Sequence, residues 1–231
     1  MKYKFNISFL FAIGLFLSTL VFSPFILDYT LTPRLFSSIF LLLICLINFI
    51  HSKKTGSIKV DLPLFSYFLF VVFCLLSIIW CNTKSEAFLE GIKLLSAFGI
   101  FSFASYFFIH YKNSFLNLLC KISIVLVVIE FIFVLFQLTQ IQQFNKDSLY
   151  LLYGINSHKN LVSSFLVLQL FFCAAGIILF DSVWKKLSLL ALLLNLSTLC
   201  FLQTKAVWFG LFVFLLTATL LLVFSRLFSR K

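Results

Sequence analysis

The chain has 231 residues, of which 62% are hydrophobic, and its formal net charge is +11. A water-soluble domain does not need so much apolar surface, and several apolar runs approach or exceed the roughly 18–20 residues that cross a bilayer as a helix. The period-two alternation typical of a membrane β-barrel is absent. We therefore expect an all-α, polytopic membrane protein whose residues 1–231 form a single transmembrane helical domain.

Hydropathy predicts eight transmembrane helices joined by seven short polar connections. The first begins just after Lys2 and Lys4, and no small-x-small cleavage site follows it, so we expect an uncleaved helix and not a signal peptide. In chain order, the predicted helices cover residues 6–27, 34–50, 62–80, 91–109, 119–139, 160–180, 187–203 and 206–224.

The distribution of Lys and Arg among the connections predicts the orientation in the membrane. With the N-terminus inside, twelve of the 18 cations fall in cytoplasmic segments and six in outer segments. Both termini are therefore expected in the cytoplasm. The cations are scattered in short loops and not clustered on one face, which argues against a nucleic-acid partner. The six outer cations are Arg34, Lys84, Lys93, Lys146, Lys159 and Lys205.

Four of these outer cations, namely Arg34, Lys93, Lys159 and Lys205, stand near the start of a predicted helix. A cation there opposes both the preference of positive charge for the inside and the partial positive charge of a helix N-terminus. A bound anion would reverse both penalties, because N-terminal N–H groups and cations together hold phosphate. The alternative is that these side chains extend to water at the membrane surface.

Acidic neighbours favour that alternative for some of the outer cations. Glu86 and Glu90 are close enough in sequence to neutralise Lys84 and Lys93, and Asp28 offers Arg34 a similar partner. Lys159 and Lys205 have fewer acidic neighbours, so a role in anion binding is favoured for them.

The segment "YGINSHKNLVSS", residues 153–164, combines several polar groups at one helix entrance. Asn156 or Ser157 is expected to cap the helix, while His158, Lys159 and Asn160 are expected to face a ligand. His158 is also a weak candidate for a general base, with capping or solvation as the alternatives. The six cysteines lie mostly in apolar runs without a C-x-x-C pair, so neither a disulfide framework nor a metal site is expected.

Three stretches resemble the O-antigen ligase and polymerase family of bacterial membrane glycosyltransferases. "YGINSHKNLVSSFLVLQLFF", residues 153–172, resembles the family's Lys-Asn entry into a membrane helix. "FLQTKAVWFGLFVFLL", residues 201–216, resembles its "Q-T-R-A-x-W-x-G" motif, and "DYTLTPRLF", residues 28–36, is similar to a first outer loop. The order and spacing of the three stretches fit the family.

The resemblance implies a location in the bacterial inner membrane and a transfer on its periplasmic face. The glycan would pass from undecaprenyl diphosphate to lipid A core, to a growing polysaccharide or to a protein, without a cofactor or an obligatory metal. Lys159 matches the Lys of the first motif, and Lys205 stands where the second motif has Arg. The implied diphosphate-binding set is Lys159, Lys205, His158, Asn160 and Arg34.

Two departures from the family pattern bear on activity. Lys205 is a point charge, whereas the Arg it replaces grips phosphate with two parallel N–H bonds. Family members also continue with further helices and a large periplasmic loop that carries a catalytic His. We therefore expect the N-terminal portion of an O-antigen ligase-like domain, with a downstream-encoded C-terminal half as a possible partner.

Glu130, Gln169 and Asn195 fall near the middle of predicted helices, and Gln137 shares a helical face with Glu130 seven residues further on. An acid at this depth costs several kcal/mol when it is charged. These groups either position a lipid carrier or relay a proton, or else they join helices by hydrogen bonds, with Glu130 protonated. The second interpretation is favoured by the sequence.

Three functions remain open from the sequence. The first is a membrane glycan ligase or polymerase, and the second is a non-catalytic remnant or subunit that binds a lipid diphosphate. The third is a small transporter subunit, suggested by Glu130 and disfavoured because the chain lacks the repeated halves usual in transporters.

Overall fold

A computed structural model describes residues 7–21, 31–51, 61–141, 151–156 and 158–228. Within these ranges the regular structure consists of seven α-helices and a short 3-10 turn, Ile78–Trp80, without a strand. The helices are α1 (Ile7–Leu20), α2 (Leu31–His51), α3 (Leu62–Ser77), α4 (Lys84–Thr139), α5 (Lys159–Leu179), α6 (Ser182–Leu202) and α7 (Lys205–Phe228).

The helices confirm an all-α membrane protein. Five stretches in the described residues are long and apolar enough to cross a bilayer: Leu31–Ile50, Leu62–Trp80, Lys84–Thr139, Lys159–Leu179 and Ser182–Leu202. Large apolar side chains also point away from the protein along these helices. Phe73 is 71% exposed and Ile178 is 86% exposed. Exposure on this scale is unfavourable in water, whereas lipid tails cover such side chains without cost.

The prediction of separate fourth and fifth helices, 91–109 and 119–139, corresponds to two helical parts of α4 that are joined by a kink between those ranges. One element runs from Lys84 to Thr139, and only Tyr111 (φ −131°, ψ 28°) departs from helical dihedrals inside it. Phe107 and Phe115 would lie about 12 Å apart along the axis of an unbroken helix. Their ring centroids are 5.8 Å apart, so the axis bends sharply at Tyr111.

Several helices begin earlier than hydropathy predicts. The helix expected from residue 91 begins at Lys84, and the helix expected from residue 187 begins at Ser182. The added turns are polar and contain good helix formers, including Glu86, whose negative charge suits a helix N-terminus. A hydropathy window ends a predicted helix where the chain leaves the hydrocarbon core, although the backbone stays helical beyond that point. For the predicted first helix, residues 22–27 lie outside the described residues.

The chain divides into two compact units, residues 1–122 and residues 123–231. In the first unit, the rings of Phe11, Phe107 and Phe115 form a buried cluster with Cys45 and Leu41. The Phe11 and Phe107 ring centroids are 5.1 Å apart. This cluster joins α1, α2 and both sides of the bend in α4.

In the second unit, α5 and α6 form an antiparallel hairpin whose connection is Phe180 and Asp181. The helices approach closely at Gly176, where an added Cβ would meet the Ser188 hydroxyl. Small residues at such a crossing are typical of membrane helix pairs because they let two backbones come together. The start of α7 follows α6 after Gln203 and Thr204.

Candidate functional site

The carboxylate of Glu130 binds the segment that precedes α5. Glu130 lies in the part of α4 that belongs to the second unit, and its side chain is fully buried. The backbone N–H of Ile155 donates to Oε2 at 3.1 Å, and the side-chain Nδ2 of Asn156 donates to Oε1 at 2.9 Å. Both carboxylate oxygens therefore accept hydrogen bonds from residues 155–156, which precede α5.

Gln137 holds the same segment two turns further along α4. Its Oε1 accepts from the N–H of Tyr153 at 3.0 Å and from the N–H of Gly154 at 2.8 Å. Its Nε2 donates to the carbonyl of Gly154 at 3.0 Å. Residues seven apart share a helical face, so Glu130 and Gln137 together grip residues 153–156. We call this arrangement the latch.

Glycine is the only residue type that fits position 154 of the latch. Its φ is +55°, a conformation that costs other residues roughly 1–2 kcal/mol. An added Cβ would also overlap Oε2 of Glu130. Glycine therefore lets the backbone of the segment approach the carboxylate closely enough for the Ile155 N–H to donate to it.

His158 caps α5, which corrects the expectation that Asn156 or Ser157 would do so. The Nδ1 atom of His158 accepts from the N–H of Asn160 at 3.2 Å, and the His158 backbone is extended as an N-cap requires. Asn156 is buried and bonded to Glu130, and Ser157 lies outside the described residues. Because Nδ1 accepts this bond, the neutral imidazole carries its proton on Nε2, so the capping arrangement leaves no unprotonated ring nitrogen to act as a general base.

The starts of α5 and α7 lie together. The hydroxyls of Ser163 and Thr204 are 2.6 Å apart and both side chains are buried. Ser163 stands one turn after Lys159 and also donates to the Lys159 carbonyl at 2.8 Å. Thr204 immediately precedes Lys205. We call these four residues, Lys159, Ser163, Thr204 and Lys205, the α5–α7 entrance.

The entrance combines charge with helix N-terminal geometry. Lys159 is the first residue of α5 and is partly exposed, while Lys205 is the first residue of α7 and is exposed. The positive ends of two helix dipoles and two ammonium groups make a region of positive potential. Such a region is chemically suited to a phosphate or diphosphate group. Asn160 is also exposed there, in the first turn of α5.

Sequence reasoning missed Ser163, Thr204 and the partners of Glu130. Thr204 lies inside the "FLQTKAVWFG" stretch and Ser163 inside the "YGINSHKNLVSS" stretch, so both belong to segments that the sequence singled out. Small hydroxyl residues are common in membrane helices, and nothing in their spacing indicates which pair meets.

Gln169 and Asn195 are buried in the α5–α6 hairpin of the second unit. The Nδ2 of Asn195 donates to the Leu166 carbonyl at 2.9 Å, which joins the two helices as the favoured interpretation expects. Among the described residues, Oε1 of Gln169 and Oδ1 of Asn195 have no hydrogen-bond partner. A buried water with two free O–H groups is the usual partner for such oxygens.

Two further outer cations belong to the first unit. Lys93 forms an ion pair with Glu90 at 2.6 Å, which confirms the expected neutralisation, and the pair borders a cavity of about 650 Å³ beside Trp80. The Nε–H of Arg34 donates to the carbonyl of Val21 at 3.4 Å. Asp28, the expected partner of Arg34, lies outside the described residues. The place of Arg34 in the diphosphate-binding set stays a prediction.

In the described ranges, no three His, Cys, Asp or Glu side chains are grouped so that they could hold a metal ion.

Comparison with protein-family models, with curated proteins and with solved structures finds no match to this chain.

Proposed function

We propose that this chain is an O-antigen ligase- or polymerase-like membrane protein that binds an undecaprenyl-diphosphate-linked glycan. The glycan would be transferred at the periplasmic face of the bacterial inner membrane to lipid A core or to a growing polysaccharide. The proposal is supported by the three stretches that resemble this family and by the positive charge at the start of α5 and α7.

The observation that carries the proposal is the 2.6 Å hydrogen bond between Ser163 and Thr204. Lys159 and Lys205 come from the two motifs that resemble the family, and they are 46 positions apart in the chain. The bond keeps the first turns of their helices in contact, so both cations can serve one anion. A diphosphate carries several acceptor oxygens and can bind both ammonium groups at once.

The proposed arrangement in the membrane has eight crossings with both termini in the cytoplasm. The 56 residues of α4 would extend for about 84 Å if straight, whereas the hydrocarbon core is about 30 Å thick. The bend at Tyr111 allows α4 to cross twice. The α5–α7 entrance would then face the periplasm, where six of the 18 cations are expected.

A second candidate is a binding subunit that holds the lipid diphosphate without catalysing transfer. It is favoured by His158, whose Nδ1 caps α5. A helix-capping imidazole cannot turn freely toward an acceptor hydroxyl, so a transfer step would require another base. The two candidates share the anion site and differ in whether glycan leaves the carrier.

Photo-crosslinking with an undecaprenyl-diphosphate analogue tests the shared anion site. We expect saturable labelling of the intact chain in vesicles, competed by unlabelled lipid diphosphate. Replacing both cations in a Lys159→Ala, Lys205→Ala variant should abolish competition-sensitive labelling, while Lys185→Ala, Lys186→Ala, which removes two cations near the start of α6, should leave it unchanged. Labelling that is unaffected by loss of Lys159 and Lys205 would remove the basis of the proposal.

Transfer itself is tested in a bacterial strain that lacks its own ligase. Glycan-capped lipopolysaccharide on expression of the chain, alone or with a downstream-encoded half, supports the enzyme. Lipid-diphosphate labelling without capping in either arrangement supports the binding subunit instead.

A further inference from the structure

We infer that Glu130 is a positioning residue for the α5–α7 entrance, acting through the latch that it forms with Gln137. The inference rests on the proposed function for the identity of the ligand. It assigns to a buried acid in the membrane a task that is neither catalysis nor proton transport.

The latch fixes the chain immediately before the first cation of the entrance. Gln137 binds Tyr153 and Gly154, and Glu130 binds Ile155 and Asn156. The segment 153–156 therefore has side-chain partners from one rigid helix at each of its four positions. Lys159 follows only three residues later, so little chain remains in which its position could vary.

The entrance is fixed from the other side by α7. Ser163 binds Thr204, one turn beyond Lys159 in α5. The first turn of α5 is consequently held between the latch before it and α7 after it. A binding site keeps its geometry when its residues sit on rigid elements with a supporting hydrogen-bonded layer, and the latch is that layer here.

Burial of the Glu130 carboxylate favours the latched arrangement. Glu130 is fully buried, and an unbonded carboxylate at membrane depth is strongly unfavourable. Its two oxygens need donors, and residues 155–156 supply one to each. Release of the segment would break both of these hydrogen bonds at a buried site, so the latched arrangement is preferred.

The experiment measures ligand affinity and segment protection in the same full-length chain. The affinity readout is the half-saturating concentration of the photoreactive undecaprenyl-diphosphate analogue. The protection readout is maleimide labelling of Leu152→Cys in a background without the native cysteines, since Leu152 is fully buried beside the latch.

We expect Glu130→Ala to raise the half-saturating concentration about tenfold, with maximal labelling retained. The same substitution should make Leu152→Cys reactive. Glu130→Gln should be intermediate, because its amide keeps one acceptor oxygen while its NH₂ group faces a second donor. Gln169→Leu, which removes a buried amide at similar depth without touching the latch, should change neither readout.

Several outcomes would overturn the inference. These are continued protection of Leu152→Cys in Glu130→Ala, an affinity of Glu130→Ala equal to that of the unaltered chain, and a Gln169→Leu variant that reproduces both effects. If Glu130→Ala does not fold, Gln137→Leu breaks the contacts to Tyr153 and Gly154 and should shift both readouts in the same direction; unchanged readouts would overturn the inference.

Failure of the proposed function gives a different pattern. An unaltered chain that shows no saturable labelling removes the lipid diphosphate as ligand. Protection of Leu152→Cys in that chain, and its loss in Glu130→Ala, would still support the latch.

Discussion

Glu130 illustrates how one buried residue can organise a segment distant in sequence. Its carboxylate accepts from Ile155 and Asn156, 25 and 26 residues further along the chain. A backbone N–H that lies outside a helix needs an acceptor when it is buried, and the carboxylate supplies one. The buried acid is therefore explained by the two hydrogen-bond donors of residues 155–156 that it accepts from.

The first residue-scale prediction concerns Gly154. We expect Gly154→Ala to lower the free energy of unfolding by about 2–4 kcal/mol, since alanine is disfavoured at φ +55° and its Cβ displaces the Glu130 carboxylate. Unfolding in mixed micelles with increasing denaturing detergent measures the change.

Gly210→Ala is the matched control for this substitution. Gly210 lies within α7, and an added Cβ there meets no atom within 4 Å. The control should be neutral or slightly stabilising. In a Glu130→Ala, Gly154→Ala double variant the clash disappears, so the two costs should sum to more than the cost of the double variant; strict additivity would contradict the latch geometry.

At the scale of the helices, the bend in α4 matters most for the first unit. Phe107 and Phe115 stand on either side of Tyr111, and both rings pack against Phe11 of α1. An aromatic ring from another helix thus fills the inside of the bend. This explains why a single non-helical residue suffices to redirect so apolar a helix.

We predict that Phe11→Ala destabilises the first unit by about 3–5 kcal/mol, because it leaves a cavity at a fully buried site. The same unfolding titration measures the loss. Phe73→Ala removes an equally large ring that is 71% exposed, and it should cost far less. Equal losses for the two variants would show that the cluster does not support the bend.

The hydrogen bond between Ser163 and Thr204 gives a prediction for the α5–α7 pair. A double-mutant cycle with Ser163→Ala and Thr204→Val should yield a coupling free energy of about 0.6–2 kcal/mol, typical of hydroxyl bonds between membrane helices. The paired substitutions Ser197→Ala and Thr219→Val serve as a control, since each hydroxyl bonds only within its own helix. A coupling free energy near zero for Ser163 and Thr204 would show that their hydrogen bond does not hold the starts of α5 and α7 together.

At the scale of the whole molecule, the apolar surface determines the environment. Exposed Phe, Leu and Ile side chains line the long helices, and five stretches in the described residues have the length and composition of membrane spans. Burial in lipid removes the cost of that surface. The polar contacts are instead concentrated in the latch, the α5–α7 entrance and the α5–α6 hairpin.

The last prediction places the two ends of α6 on opposite sides of the membrane. The 21 residues of α6 extend for about 31 Å, which matches the hydrocarbon core. Asp181 before α6 and Gln203 after it are both exposed. In a cysteine-free background, a membrane-impermeant maleimide added to intact cells should label Gln203→Cys, whereas Asp181→Cys should react only after lysis. The reverse pattern would invert the proposed orientation.

Much of this arrangement could be predicted from the sequence. Runs of apolar residues predicted most helices to within a few residues. In lipid, a single segment can pair its own backbone N–H and C=O groups only as a helix. The ion pair of Lys93 with Glu90 followed from spacing of three residues on one helix. Local patterns of this kind require no knowledge of which helices are neighbours.

Other features could not be read from local patterns. Hydropathy placed a break between residues 91–109 and 119–139, but it did not indicate that the break is a kink at the single residue Tyr111. The cap of α5 was assigned to Asn156 or Ser157 because those residue types favour N-caps, whereas Asn156 is bonded to Glu130 and His158 caps the helix.

The sequence by itself determined that the chain is helical, that it belongs in a membrane and that Lys159 and Lys205 stand at helix entrances. These properties depend on composition and on neighbours within a few residues. Only the tertiary structure decided that Ser163 meets Thr204 and that Glu130 binds residues 155–156. Such contacts arise from the packing of distant helices, where burial forces each polar group to find whichever partner the fold brings within reach.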